Sequence, residues 1–291
     1  MEIAFHVGAH NTEADLLLNC LRHNAGYLAR EGTIVPAGEA YRPVIGDAVR
    51  KLRGESADPD EEEAILELIL KGMNGRRLVM SSENFICVPQ RVFDEGALYA
   101  KIAHKSVWLR NVFPSQQVSF FMAVRNPAAF VPALFLRRKQ GSFEEYLGSI
   151  ALEKVCWSDT VAALAEAVPD CQITVWCTED SPLIWPEVMA AVAGVDSTTQ
   201  LERSDVHLRS IMKPEGLARL HEYLQARPDL ATAQRRWATI AFLDKYSSED
   251  AMEESFDLPD WTQDRIEVLT EAYETDMEKL AELPGVTFLQ P

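Results

Sequence analysis

Several signals that would place a protein in a familiar class are missing from this sequence. Its five cysteines are odd in number, widely spaced and without a CxxC pair, so neither a disulfide framework nor a zinc or redox site is indicated. No apolar run approaches the length of a membrane span, and the N-terminus lacks a basic segment followed by an apolar signal core. We therefore expect a cytoplasmic protein with buried, reduced thiols and no membrane partner.

Basic residues are also scarce. Only 28 lysines and arginines stand against 45 aspartates and glutamates, which gives a net charge of −17. Such a chain repels polyanions at long range, which argues against a nucleic-acid partner. An anionic ligand would have to find a local basic pocket, and the oligomeric state is not indicated.

What is present is typical of a globular domain. Hydrophobic residues make up 47% and charged residues 25% of the 291 residues. We predict one α/β domain over residues 1–291, in which 200–291 form a mostly helical extension. Strands are predicted at 2–7, 33–36, 77–80, 117–124 and 172–176, with helical patterns between them. These patterns include a single helix that follows the Gly8 turn and ends at Gly32, and a helix over about 96–112. This alternation predicts a mainly parallel sheet with helices on both faces.

Polar residues follow three of these strands. The segments are 8–15 (GAHNTEAD), 81–84 (SSEN) and 125–127 (RNP). Ligands of an open parallel sheet bind beyond the carboxyl ends of its strands. We therefore expect the three segments to converge on one site.

The order of these segments resembles the bacterial members of the sulfotransferase superfamily. HVGAHNTEADLL is similar to that family's 5′-phosphosulfate loop, and FFMAVRNPAAFVPALFLRR to its 3′-phosphate motif. SSENF, RKQGSFEEYL and the closing PGVTFLQP strengthen the likeness, which is spread over most of the chain.

The resemblance implies a three-layer, P-loop NTPase-like fold. It implies transfer of a sulfuryl group from 3′-phosphoadenosine 5′-phosphosulfate to a hydroxyl or amine of a small molecule or glycan, with no metal. That chemistry needs backbone N–H groups at the 5′-phosphate, a cation near the leaving oxygen and a base for the acceptor. The implied nucleotide-binding positions are Gly8, Ala9, His10, Asn11, Thr12, Arg125 and Ala133.

The sequence departs from the family's motifs at these positions. Asn11 stands where the family has lysine, Glu13 where it has glycine, and Ala14 and Asp15 where it has small hydroxyl residues. Ala133 replaces the serine expected eight residues after the arginine. Acids in the first turn of a helix occupy the positive end that a phosphate would need.

The candidate catalytic residues each have a structural alternative. Glu83 is the candidate general base, or a solvated residue of a turn capped by its neighbours. His10 is a candidate base or phosphate donor, or makes a structural hydrogen bond. Arg137, Arg138 and Lys139 form a basic cluster that is either a ligand patch or a solvated helix end.

Other chemistries find less support in the sequence. A metal site built from His6, His10, Glu13, Asp15 and Glu83 lacks any known ligand spacing. No G-x-x-x-x-G-K-[ST] run supports a P-loop phosphotransferase. Two hypotheses therefore remain: an active, divergent sulfotransferase, or a catalytically retired sulfotransferase fold that acts as a binding or scaffold protein.

Overall fold

A computed structural model describes residues 1–12, 14–138, 141–148, 150, 152, 155–248 and 256–291 of the chain. The predictions made for Glu13 and Lys139 lie outside these described residues. Six parallel strands form one sheet in the order β2-β3-β1-β4-β5-β6. The strands are β1 (Glu2–His6), β2 (Thr33–Ile34), β3 (Arg77–Ser81), β4 (Gln117–Val124), β5 (Gln172–Cys177) and β6 (Val286–Leu289).

Helices connect the strands and cover both faces of the sheet. They are α1 (Ala14–His23), α2 (Ala25–Arg30), α3 (Gly38–Leu52), α4 (Pro59–Leu70), α5 (Ile102–Val112), α6 (Pro127–Leu136), α7 (Phe143–Leu147), α8 (Trp157–Ala167), α9 (Ser181–Ala193), α10 (Val206–Ile211), α11 (Pro214–Gln225), α12 (Thr232–Tyr246) and α13 (Gln263–Ala281). This confirms the predicted α/β class with a parallel sheet.

The two faces of the sheet have separate hydrophobic cores. Ile3 and Phe5 of β1 pack with α3, α5, α8 and α13, whereas Ala4 faces the opposite core with α1 and α9. Alternate residues of a strand point to opposite faces, and both are buried here because helices lie on each side. The result is a three-layer architecture.

Several predicted helix boundaries were wrong. The helix expected over 96–112 begins only at Ile102, because a short turn (Asp94–Gly96) and positive φ angles at Glu95, Gly96 and Tyr99 precede it. The single helix expected after Gly8 is divided at Asn24, whose side-chain amide donates to the carbonyl oxygens of Cys20 and Glu202. Such side-chain bonds compete with helical ones.

The C-terminal region is integral to the sheet. It is mostly helical, and β6 adds in parallel to the β5 edge, with Thr174 opposite Thr287. Asp276 of α13 reaches α8, where its carboxylate accepts hydrogen bonds from the backbone N–H groups of Trp157 and Ser158 at 2.6 and 3.1 Å.

Among the described residues, no helix is both long and apolar enough to cross a bilayer.

Candidate functional site

The three polar segments meet at the carboxyl ends of β1, β3 and β4. Those strands are neighbours at the centre of the sheet, with β1 between the other two. Hydrogen bonds join the 8–12 loop to the 81–84 segment and to Arg125, so the expected convergence is present.

The loop after β1 keeps its backbone against β4. Gly8 has a φ of +120°, a conformation that favours glycine, and a Cβ there would lie 3.3 Å from the backbone nitrogen of His10. The Ala9 N–H donates to the Ala123 carbonyl at 2.8 Å, and the Ala123 N–H donates to the Gly8 carbonyl at 2.7 Å. The Ala9 N–H of the loop is therefore used within the fold.

The next two N–H groups of the loop donate to side chains. The backbone N–H of His10 donates to the Tyr99 hydroxyl at 2.9 Å, and that of Asn11 donates to Oε2 of Glu83 at 3.4 Å. Asn11 itself has a φ of 54°, which asparagine tolerates better than most residues. The Thr12 hydroxyl donates to the Ala9 carbonyl at 2.6 Å. The loop thus binds the protein's own acceptors where a phosphate would be expected.

His10 is fully buried against Tyr99. Its Nδ1 lies 2.6 Å from the Tyr99 hydroxyl, which has one hydrogen and already accepts the His10 N–H. Nε2 lies 3.3 Å from Oδ1 of Asn84, and because an amide oxygen only accepts, this contact favours the tautomer with the hydrogen on Nε2 and the Tyr99 hydroxyl donating to Nδ1. Burial lowers the pKa of His10, against the opposing charge of Glu83. The imidazole is held by contacts at hydrogen-bond distance on both ring nitrogens.

The Glu83 carboxylate forms an ion pair with an arginine. Its Oε1 accepts from Nη2 of Arg137 at 2.6 Å. Burial alone would raise the pKa of Glu83, but the hydrogen bond and charge of Arg137, together with His10 and the Asn11 N–H, lower it. A carboxylate with a lowered pKa is a weak general base at neutral pH.

The two arginines at the site both donate hydrogen bonds to Asn11. Nη1 of Arg125 donates to the Asn11 carbonyl at 2.7 Å, and Nη1 of Arg137 lies 3.3 Å from Oδ1 of the Asn11 side chain. The indole N–H of Trp157 donates to the backbone carbonyl oxygen of Arg125 at 2.8 Å, which helps to hold Arg125 in place. Asn11 thus accepts hydrogen bonds from two cationic side chains.

An acidic side chain also accepts a backbone N–H at the start of α6. The Asn126 side chain caps the helix by accepting the Ala128 N–H at 2.9 Å. Oε1 of Glu179 accepts the backbone N–H of Asn126 at 2.7 Å, and the Tyr273 hydroxyl donates to Oε2 of the same carboxylate. Ala133 lies further along α6 and has no polar side-chain atom to offer a ligand.

Asp15, one of the two acids that the sequence indicated at this helix start, bonds to a side chain outside the loop. Asp15 lies in the first turn of α1 as expected, but its carboxylate pairs with Nη2 of Arg42 at 2.7 Å. Glu83 and Glu179 instead take the N–H groups of Asn11 and Asn126. Glu179 follows β5, so a polar residue at a fourth strand end was a signal that sequence reasoning missed. Tyr99 lies 89 residues from His10 in an irregular segment, and no pattern marked it.

Within the described residues, histidine, cysteine, aspartate and glutamate side chains form no group of three that could hold a metal ion. Neither a protein-family model nor a curated protein sequence matches this chain.

Proposed function

We propose that this chain is a sulfotransferase-like α/β protein that acts as a binding or scaffold protein, without transferring a sulfuryl group. One observation carries the proposal: the consecutive N–H groups of Ala9, His10 and Asn11 each donate to an acceptor of the protein itself. An anion site at a loop and helix start depends on such N–H groups pointing at the ligand.

The contacts of the candidate catalytic groups also support a protein without transferase activity. Arg137 is paired with Glu83, and Arg125 with the Asn11 carbonyl, so both cations already have partners. Removing one preorganised donor to a developing negative charge costs about two to three orders of magnitude in rate. Here the loop lysine is absent, and the candidate base Glu83 is held as a carboxylate by Arg137.

An active sulfotransferase is the second candidate, and the two arginines favour it. Arg125 and Arg137 converge on one residue, and the side chain of Arg137 is 39% exposed. A phosphosulfate that displaced Glu83 from Arg137 would meet two guanidinium groups, which suit phosphate geometry. The acceptor would then be a hydroxyl or amine, as the resemblance implies.

Nucleotide binding separates the two candidates. We expect calorimetry with 3′-phosphoadenosine 5′-phosphate to detect no binding to the native chain at millimolar ligand. The double variant Glu83→Ala/Glu179→Ala frees the N–H groups of Asn11 and Asn126 and releases Arg137. It is expected to bind at least about tenfold more tightly than the native chain, a gain of about 1.4 kcal/mol.

Glu61→Ala is the matched control. Glu61 also accepts a backbone N–H and pairs with a lysine, Lys51, but it does so at the start of α4. Removing it lowers the negative charge without opening the loop, so nucleotide binding should not change. Micromolar binding by the native chain, at or above the affinity of the double variant, would reject the proposal and favour the transferase.

A further inference from the structure

A cavity of about 670 Å³ opens beside the loop network, on the α3 side of the sheet. Its walls come from α3, α5 and the irregular segment 82–101. Ser82, Asn84 and Tyr99 lie on its wall and also belong to the segments that surround His10. The volume lies within the range of small-molecule sites in proteins, about 300–1,000 Å³.

Apolar side chains form much of the cavity lining. Ile45 and Val49 come from α3, Phe85 and Ile86 follow β3, and Leu109 comes from α5. Such a surface binds the hydrocarbon or aromatic body of a ligand by removing both from water.

Five basic residues line the same cavity: Arg42, Arg50, Arg91, Lys101 and Lys105. The acid that lines it with them is Asp94. Arg42 and Arg50 are paired with Asp15 and Asp47, so the positive charge of the lining is concentrated at Arg91, Lys101 and Lys105. Its sign is opposite to that of the net charge of −17 of the whole chain. The cavity is therefore a local basic pocket of the kind that an anionic ligand of this protein requires.

The cations at the α5 end are incompletely neutralised. Arg91 lies 4.0 Å from Asp94, and Lys101 lies 3.6 Å from Glu95. Nζ of Lys105 lies over the Trp108 ring at 3.7 Å, and no described carboxylate lies within 4.0 Å of it. Burial, followed by the charges of Lys101 and Arg91, lowers the pKa of Lys105. Like charges held together in this way are relieved by a bound anion.

We infer that this cavity binds a small amphipathic anion, with its apolar body against Ile45, Val49 and Leu109 and its sulfate, phosphate or carboxylate group at Arg91, Lys101 and Lys105. The inference goes beyond the proposed function. It does not depend on whether the 8–12 loop binds nucleotide, because none of these residues holds a loop N–H group.

Four ligands that share the same naphthalene ring test the inference on the full chain. Calorimetry would compare 2-naphthyl sulfate, 2-naphthyl phosphate and 2-naphthoate with the neutral 2-naphthol. At least one of the anions is expected to bind at least about tenfold more tightly than 2-naphthol, and the order among the three identifies the preferred head group. Binding of 2-naphthol as tightly as every anion, or no binding of any anion at millimolar ligand, would overturn the inference.

Charge and shape variants locate the site. Lys101→Gln/Lys105→Gln is expected to weaken binding of the anions about tenfold or more and to leave 2-naphthol unchanged. Lys213→Gln is the matched control, since Lys213 is exposed and lies outside the cavity lining. Equal anion affinity in the native chain and the double lysine variant would contradict the inference.

Gly46→Leu tests shape without changing charge. Gly46 lies inside α3 on the cavity wall, and a Cβ there would meet no heavy atom within 4 Å. The helix tolerates the larger residue, so the variant should fold, and circular dichroism would verify this. We expect it to reduce binding of all four ligands. Full anion binding by folded Gly46→Leu would place the site elsewhere and reject the inference.

Discussion

At the residue scale, β1 and the loop after it carry two fully buried histidines, and His6 gives the clearer measurable consequence. Its Nδ1 lies 2.8 Å from the Ser81 hydroxyl, and its ring stacks on Trp176 at the carboxyl end of the sheet. Burial lowers the pKa of His6 from 6.5 to about 4. The folded protein therefore keeps this imidazole neutral under conditions in which the unfolded chain protonates it.

The sign of the pH dependence follows from this difference. Between pH 6.5 and about 4 the unfolded chain binds a proton that folded His6 does not, so stability falls as the pH falls through this window. We expect His6→Asn to flatten the slope of the unfolding free energy against pH by up to about one proton. Urea unfolding at a series of pH values measures this slope.

Ser81→Ala separates titration from packing. It removes the same hydrogen bond but keeps the imidazole, so it should lower stability and retain the steep slope. If His6→Asn and Ser81→Ala show the same slope as the native chain, His6 is not the group that makes the protein sensitive to acid.

Single residues of the candidate site were predictable only where a strand end marked them. Gly8, Glu83 and Arg125 each follow a buried strand, and parallel topology brings such positions together. Tyr99 was not predictable, because its role comes from a long-range contact that no periodicity encodes. The partner of Asn11 was also missed, because a carboxylate from another strand end reaches the loop while Asp15 turns to Arg42.

At the scale of elements, local signals located most helices, but contacts between helices were not readable. Capping boxes at Asp58 and Ser142 begin α4 and α7 with patterns visible in the sequence. Asp276 lies on a different helix, more than one hundred residues away in sequence, and its carboxylate accepts the backbone N–H of Trp157 at the start of α8. A cap of this kind has no local sequence pattern.

Asp276 is expected to tie the C-terminal region to the sheet domain. It is 4% exposed, and its carboxylate accepts from two backbone N–H groups and from the Ser158 hydroxyl. Asp276→Ala leaves these buried donors without an acceptor and removes a negative charge from a helix start. We expect a loss of about 2–4 kcal/mol in the free energy of unfolding, measured in urea.

Two variants on the same helix control for this effect. Asp276→Asn keeps one acceptor oxygen and should show an intermediate loss. Glu274→Ala removes an exposed acid two residues away and should change stability by less than about 0.5 kcal/mol. Similar losses for Asp276→Ala and Glu274→Ala would show that the contact with α8 contributes nothing to stability.

At the scale of the whole molecule, alternation of strands and helices sufficed to predict a parallel sheet covered on both faces. The order of the strands did not follow from it, because a buried strand such as β4 has the same apolar pattern whichever neighbour it pairs with. Nor did the pattern show that the chain returns from its helical region to extend the sheet with β6. That outcome depends on which edge is left open, a property of the assembled sheet.

The C-terminal helices differ in how firmly they belong to this assembly. In α12, Thr239 is the buried residue, and Trp237 is 76% exposed. The small cluster of Leu208, Met212, Leu217 and Leu220 joins α10 and α11, and Phe242 and Leu243 of α12 pack against it from partly buried positions. By contrast, α9 buries Ile184, Trp185 and Val188 against the sheet, among others.

Regions with few buried apolar contacts open at lower free energy than the rest of a fold. We therefore expect amides of α12 to exchange hydrogen at least about tenfold faster than those of α9, a helix of similar length, when the native protein is followed by mass spectrometry. Peptides from β4 should exchange slowest, because seven of its eight residues are buried at the centre of the sheet. Equal protection of α12 and α9 would contradict this, because it would mean that α12 opens only when the whole domain unfolds, despite the exposure of Trp237.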